Sequence, residues 1–214
     1  MKEKFKRIGI DALEPHEILE MMLFYCIPQG DTNDLAHILI NRFGGFADVF
    51  NASYDELLSV NGVGENTAFF IKFMPKLLSV FVAKSHEGLP LATNEDMCKF
   101  FITQFFGANV EQLRLVFLDD ELNYKKSVLI SEGDASSTSL NIQKIVHAAI
   151  SAECTNCVLA HNHPLASSIP SDADYAANEE LISVLRSMNI NLVDNIVVGR
   201  DGARSIINGH VKFK

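Results

Sequence analysis

A chain of 214 residues that is 48% hydrophobic and 21% charged exceeds the commonest single-domain length and can build real cores, which excludes a disordered protein and favours two small domains. A net charge of −9 and a pI near 5.2 exclude a broadly basic nucleic-acid binder, so any contact with a phosphate backbone must be local. The four cysteines are too few and too scattered for a disulfide framework, which fits a reducing, cytoplasmic location.

The chain opens on Lys2, Lys4, Lys6 and Arg7 and passes into Asp11 and Glu14 rather than an apolar core, so no secretory signal is expected. This basic start reads as a solvated tail, with a local phosphate contact as the other reading. The apolar run from Ile18 to Ile27 is broken by Glu20 and falls well short of the ~20 residues that span a bilayer, so no membrane partner is expected. From Asp11 to about Ala83 the pattern is helical, with Ile18, Leu19, Met22 and Leu23, then Leu35, Ile38 and Leu39, at helical spacing. Pro28-Gln29-Gly30-Asp31, Gly44-Gly45 and Asn61-Gly62-Val63-Gly64 punctuate it, which predicts a bundle of four or five short helices. Ser85-His86-Glu87-Gly88-Leu89-Pro90 has no periodicity and reads as a linker. The expected organisation is an all-α domain at 1–85, a linker at 86–93 and an α/β domain at 94–214.

Beyond Asn94 a helix to about Phe106 is followed by a strand from Leu113 to Leu118 and a hairpin partner from Lys126 to Ile130. Ile142, Ile145, Val146, Ala149 and Ile150 form a helical stripe, Cys157 to Ala160 reads as a short buried strand, and a second helix runs from about Asp172 to Met188. Three apolar segments, Ile190 to Val193, Ile196 to Val198 and Ser205 to Ile207, complete the set as strands separated by Asp194-Asn195 and by Gly199-Arg200-Asp201-Gly202. This alternation predicts a mixed sheet between helices.

The strongest chemical signal is Ala160-His161-Asn162-His163-Pro164 followed by Pro170-Ser171-Asp172-Ala173-Asp174. Two histidines two positions apart at a strand end point the same way, so both imidazoles can face one ion. Asp174, opening a helix, can swing back as a third ligand. Two imidazoles and one carboxylate leave a zinc ion positively charged with a fourth position open to water, the arrangement of catalytic rather than structural zinc. Ser171-x-x-Asp174 also matches a helix capping box, which needs no metal, and the residues alone leave both readings open.

The order His-x-His, seven residues, Ser, two residues, Asp resembles the JAMM motif of MPN-domain metallopeptidases. With Leu159-Ala160 before it and Asp194-x-Ile196-Val197-Val198-Gly199 after it, the chain is similar to the RadC family over nearly its whole length. The resemblance implies one Zn2+ per chain on His161, His163 and Asp174. It also implies a general base, filled by Glu111 in Glu111-Gln112-Leu113-Arg114-Leu115, that takes the proton of a zinc-activated water. Ser171, by the same resemblance, would donate to the oxyanion of the tetrahedral intermediate, a contact worth ~3 kcal/mol. The implied reaction is hydrolysis of a peptide or isopeptide bond. Leu57 to Ala68, around Gly62 and Gly64, resembles the helix-hairpin-helix of the same family, whose turn offers backbone N–H groups to a DNA phosphate; a plain interhelical turn is the other reading.

The chain departs from the family at three places. Leu165-Ala166 stands where relatives often have Ser-Gly, Gln143-Lys144 where many have Arg-Glu, and Asp194-Asn195 where many have Asp-His; none is an expected ligand. Cys154-Thr155-Asn156-Cys157 has the spacing of a zinc knuckle but no second pair, and reads as packing. Two functions compete: a metalloprotease-type hydrolase, and a non-catalytic scaffold that docks DNA or a DNA-repair protein. A metal-dependent nuclease is a weaker third, since two-metal chemistry needs a cluster of carboxylates.

Overall fold

The computed structural model describes residues 2–28, 30–133 and 142–207. The chain forms two compact units, Met1–Leu77 and Leu78–Lys214.

The first unit is built from α1 (Lys2–Ile8), a 3₁₀ turn (Ile10–Ala12), α2 (Pro15–Leu23), α3 (Thr32–Phe43), α4 (Phe46–Asn51), α5 (Tyr54–Leu58) and α6 (Glu65–Ser85), which continues into the second unit. Polar caps fix where these helices begin. Asp31 accepts from the N–H groups of Asn33 and Asp34, and Ser53 and Glu56 form a reciprocal capping box; Gly44, at φ +97°, ends α3 in the left-handed conformation. Leu19, Leu23, Leu39, Leu57 and Ile71 are fully buried. Two expectations change. The basic start is a helix, not a tail, because Lys4 reaches the half-buried Glu17 of α2. From Asp11 to Ala83 the described helices α2 to α6 number five, within the four or five expected, but α6 is 21 residues long rather than short. By length and composition α6 is also long and apolar enough to cross a membrane, although Thr67, Ala68, Ile71 and Pro75 on it are buried.

The second unit adds α7 (Asn94–Phe105), β1 (Glu111–Leu118), β2 (Tyr124–Gly133), α8 (Ile142–Ala152), β3 (Asn156–Asn162), α9 (Asp172–Ser187), β4 (Asn191–Gly199) and β5 (Gly202–Ser205). The sheet order is β2-β1-β3-β4-β5. Among the described strands only β3 and β4 run parallel, joined through α9, so this is the mixed sheet between helices that the sequence predicts. Alternation along the strands divides the core into two layers. Val116, Leu118, Val158, Ala160, Ile196 and Val198 meet α7 through Phe100 and Phe101. Leu113, Leu115, Phe117, Cys157 and Leu159 meet α8 and α9 through Ile145, Ala149, Leu181 and Leu185.

Two further expectations are corrected here. Asp194-Asn195 does not separate two strands, and β4 runs through both because their side chains, Asn195 Oδ1 excepted, find partners inside. Asp194 Oδ1 accepts from Asn195 N–H and from Ser205 Oγ, Oδ2 accepts from Asn94 Nδ2, and Asn195 Nδ2 donates to Asn178 Oδ1. Among the described residues the last strand is Gly202–Ser205, earlier than the segment Ser205 to Ile207. The stretch 86–93 runs within the second unit beside the β1–β2 turn. Gly88 N–H donates to Tyr124 C=O, Tyr124 N–H to Leu89 C=O and Leu91 N–H to Leu122 C=O, while Leu91 is buried in the α7 layer.

In α6, Lys72 Nζ donates to the carbonyls of Phe50 (2.8 Å) and Ala52 (2.7 Å), closing the end of α4. Burial, reinforced by neighbouring Lys76, lowers its pKa to about 8. Lys72→Met should therefore destabilise the protein by ~1–3 kcal/mol in urea unfolding, since buried carbonyls lose their donor. Between about pH 8 and the ordinary lysine value of 10.5 the unfolded chain binds the extra proton, so wild-type stability should rise across that window and fall again as pH drops through 8. That rise should be smaller in the variant; parallel pH profiles would show that Lys72 is not the group responsible.

Candidate metal centre

The pleat of β3 aims the two histidines. Cys157 and Leu159 face the α8/α9 layer, His161 is next in that row, and His163 follows just beyond the strand end. Helix α9 covers the same face, and its first turn supplies Asp174. The helix starts at Ser171 for a local reason: Ser171 Oγ accepts from Asp174 N–H at 3.2 Å, while the Asp174 carboxylate accepts from Ser171 N–H at 2.7 Å. The capping box and the ligand position are thus one structure.

Among the described residues, His161, His163 and Asp174 place one donor atom each within 4.8 Å of one another. His161 Nε2 lies 3.2 Å from His163 Nε2 and 3.3 Å from Asp174 Oδ1, and His163 Nε2 lies 3.9 Å from Asp174 Oδ2. Tetrahedral ligands at a Zn–N or Zn–O bond of ~2.05 Å are separated by an edge of ~3.3 Å, so the donor set fits a small tetrahedral cation. All three side chains are about four-fifths buried.

Hydrogen bonds hold two of the three groups, His163 and Asp174, from outside the cluster. His163 Nδ1 lies 2.9 Å from Ser167 C=O, which can only accept, so Nδ1 is the nitrogen that donates there and Nε2 is the one turned toward His161 and Asp174. The loop that provides this carbonyl is laced to the end of the sheet. His163 N–H donates to Val198 C=O, Arg200 N–H to Ala166 C=O, and Ser168 N–H to the Asp201 carboxylate. The approach is so close that a Cβ on Gly199 would overlap the Ser167–Ser168 backbone. Burial pushes the Asp174 carboxyl up, but the hydrogen bond and charge of His161, with the bonds from Ser171, outweigh it and hold the group well below the ordinary carboxylate range.

Glu111 opens β1 on the same face. Leu113 pairs with His161, and continuing that antiparallel register by two residues sets Glu111 opposite His163. Both line a recess of about 410 Å³ with Asn109, Val110, Gly133, Pro164, Leu165 and Ala166. Leu165, one of the departures noted in the sequence, is 83% exposed at its rim. The Ser171 hydroxyl donates to Asp174 Oδ2 at 2.7 Å. Gly62 and Gly64 lie in the first unit, in the turn between α5 and α6, where Gly62 takes φ +92°. Cys154 and Cys157 are buried, and burial together with neighbouring Cys154 pushes the Cys157 thiol up to about 12, so it is a neutral packing group.

Sequence reasoning passed over Asn162 and Asn178. Asn162 is 3% exposed and bonds the backbone on both sides of Glu111, and its position between the two histidines was the available signal. Asn178, one helical turn beyond Asp174, ties α9 to Asn195 of β4 at 3.0 Å.

Residues 91–211 match the RadC-like JAB domain family. Over 215 aligned positions the chain is 27% identical to a UPF0758 protein of Fusobacterium nucleatum, an alignment that covers 97% of this chain and 93% of that protein.

Gly199→Ala should displace the Ser167–Ser168 backbone and release the His163 ring. We expect a ~10- to 100-fold fall in affinity for a divalent metal ion by chelator competition, the range seen when a group that orients a metal ligand is lost. Unchanged affinity would show that the loop does not hold His163 in place.

Proposed function

Because the chain belongs to the RadC-like JAB family, we propose that it is a zinc metallohydrolase that cleaves a peptide or isopeptide bond, with one Zn2+ per chain held by His161, His163 and Asp174. The observation that carries this reading is the spacing of the three donors, which fits a tetrahedral ion with one position left over. A zinc ion bound there supplies a Lewis acid that lowers the pKa of a water to ~7.

The chain's own residues do the rest. Glu111, on the ligand face and sharing a recess with His163, accepts the proton of the attacking water and returns it to the departing amine. Ser171 Oγ donates to the developing oxyanion. To do so it turns its proton away from Asp174 Oδ2, which keeps the bond from Ser171 N–H, so the ligand stays oriented while the hydroxyl is free to act. Val110, Pro164, Leu165 and Ala166 give the recess apolar surface against which a substrate can pack.

A second reading concerns the first unit. The turn carrying Gly62 and Gly64 delivers the chain into α6 as a helix-hairpin-helix does, and this supports a local contact with a DNA phosphate or a DNA-repair protein. The net charge of −9 opposes a wider contact, so such binding would be weak and strongly salt-dependent. Four free cysteines, three of them buried, support a reducing, cytoplasmic setting.

Protein purified without added metal should contain about one zinc per chain, and His161→Ala and Asp174→Ala should each lower that occupancy sharply while the domain stays folded. Equal metal content in all three proteins would remove the assignment. Glu111→Gln should retain the zinc yet lose ~100- to 10,000-fold in turnover, because the shape is preserved while the base is gone. An active Glu111→Gln enzyme would show that another group takes the proton.

A further inference from the structure

Strands β1 and β3 pair from Leu118 against Asn156 to Leu113 against His161, and there the backbone ladder stops, two residues short of Glu111. A side chain continues it. Asn162 Oδ1 accepts from Gln112 N–H at 2.7 Å, and Asn162 Nδ2 donates to Val110 C=O at 3.1 Å. In an extended strand the C=O before a residue and the N–H after it point to the same side, so these two bonds bracket Glu111. A carboxamide offers a peptide unit's acceptor and donor, and here each partner admits only one orientation, since the N–H can only donate and the C=O only accept. The first bond is buried, and Asn162 is 3% exposed, so water competes poorly for it.

We propose that Asn162 is a positioning residue that fixes the backbone at Glu111 against the strand carrying His161 and His163. The proposal rests on the hydrolase reading, with Glu111 as base. The sequence neighbours of Asn162 hold the metal, while its own side chain holds the segment that carries the base. One tripeptide therefore sets the separation between them. A displacement of ~1 Å in such a group costs on the order of 100-fold in rate. Aspartate at this position would keep the bond from Gln112 but set a carboxylate oxygen against the Val110 carbonyl; leucine would keep the volume and lose both bonds.

The test uses the full-length zinc-loaded protein, with Asn162→Asp and Asn162→Leu made singly and combined with Glu111→Gln. Zinc affinity is read by chelator competition, exchange of the Gln112 amide by NMR, and kcat and KM on a quenched-fluorescence peptide library that includes lysine isopeptides. We expect Asn162→Asp to keep zinc affinity within about threefold, leave KM nearly unchanged and lower kcat ~10- to 100-fold. That loss should largely vanish in the Glu111→Gln background, because both changes remove the same function. Asn162→Leu should add fast exchange at Gln112, and if it does not fold, the aspartate variant alone decides. Losses that multiply in the double variant, or an unchanged kcat in Asn162→Asp, overturn the proposal. Loss of zinc in the single variants also overturns it, since Asn162 would then be serving the ligands. A zinc-bound wild type that cleaves nothing in the library overturns the hydrolase reading itself, a result distinct from either.

Discussion

Side chains alternate across a sheet, so the register of β1 against β3 decides more than their pairing. A slip of one residue in β1 would turn Leu113, Leu115 and Phe117 out of the layer they share with Leu181 and Leu185, and Glu111 would turn with them. The hydrophobic burial that forbids this slip is also what keeps the carboxylate on the face where His161, His163 and Asp174 meet. Burying a side chain such as Leu115 or Phe117 is worth ~1.5–3 kcal/mol, so several in one row hold the register far more firmly than the polar contacts of the site could.

The helix start completes the arrangement by a different physics. Asp174 answers the N–H of Ser171, the residue that caps α9, and sits at the positive end of that helix, which favours its charge. It also faces His161. His163 is held from behind by Ser167 C=O, and that loop needs Gly199 because the backbones touch. His163 and Asp174 are thus each oriented by a contact outside the donor cluster, and the folded chain brings the three donor groups together.

Much of this was legible in the residues. The His-x-His spacing and the pleat place both imidazoles on one side, and Ser171-x-x-Asp174 marks a helix start, so the three donors could be read together without coordinates. Glu111 could not, because an acidic residue at a strand start is ordinarily a solvated charge, and only likeness to a family singled it out. Asp194-Asn195 looked like a turn because buried polar pairs in a central strand are rare. Their partners, Asn94, Asn178 and Ser205, lie far apart along the chain. Asn162 escaped notice because its bonds run to backbone groups fifty residues away, which leave no trace in local pattern. Residues 86–93 carry the composition of a linker, and only the burial of Leu91 and the bonds around Tyr124 tie them to the sheet.

The neutral, buried state of Cys157 has a bearing on chemistry outside hydrolysis. This thiol lies on β3 only four residues before His161, yet it neither ligates nor ionises at ordinary pH. Thiolate-bound metals are lost when peroxide oxidises the sulfur, because the attacked species is the thiolate. A centre built from two imidazoles and a carboxylate presents no such target, and the sulfur closest along the strand is protonated and sealed in the core. A metal held in this way would stay bound under oxidant exposure that strips a cysteine-ligated one.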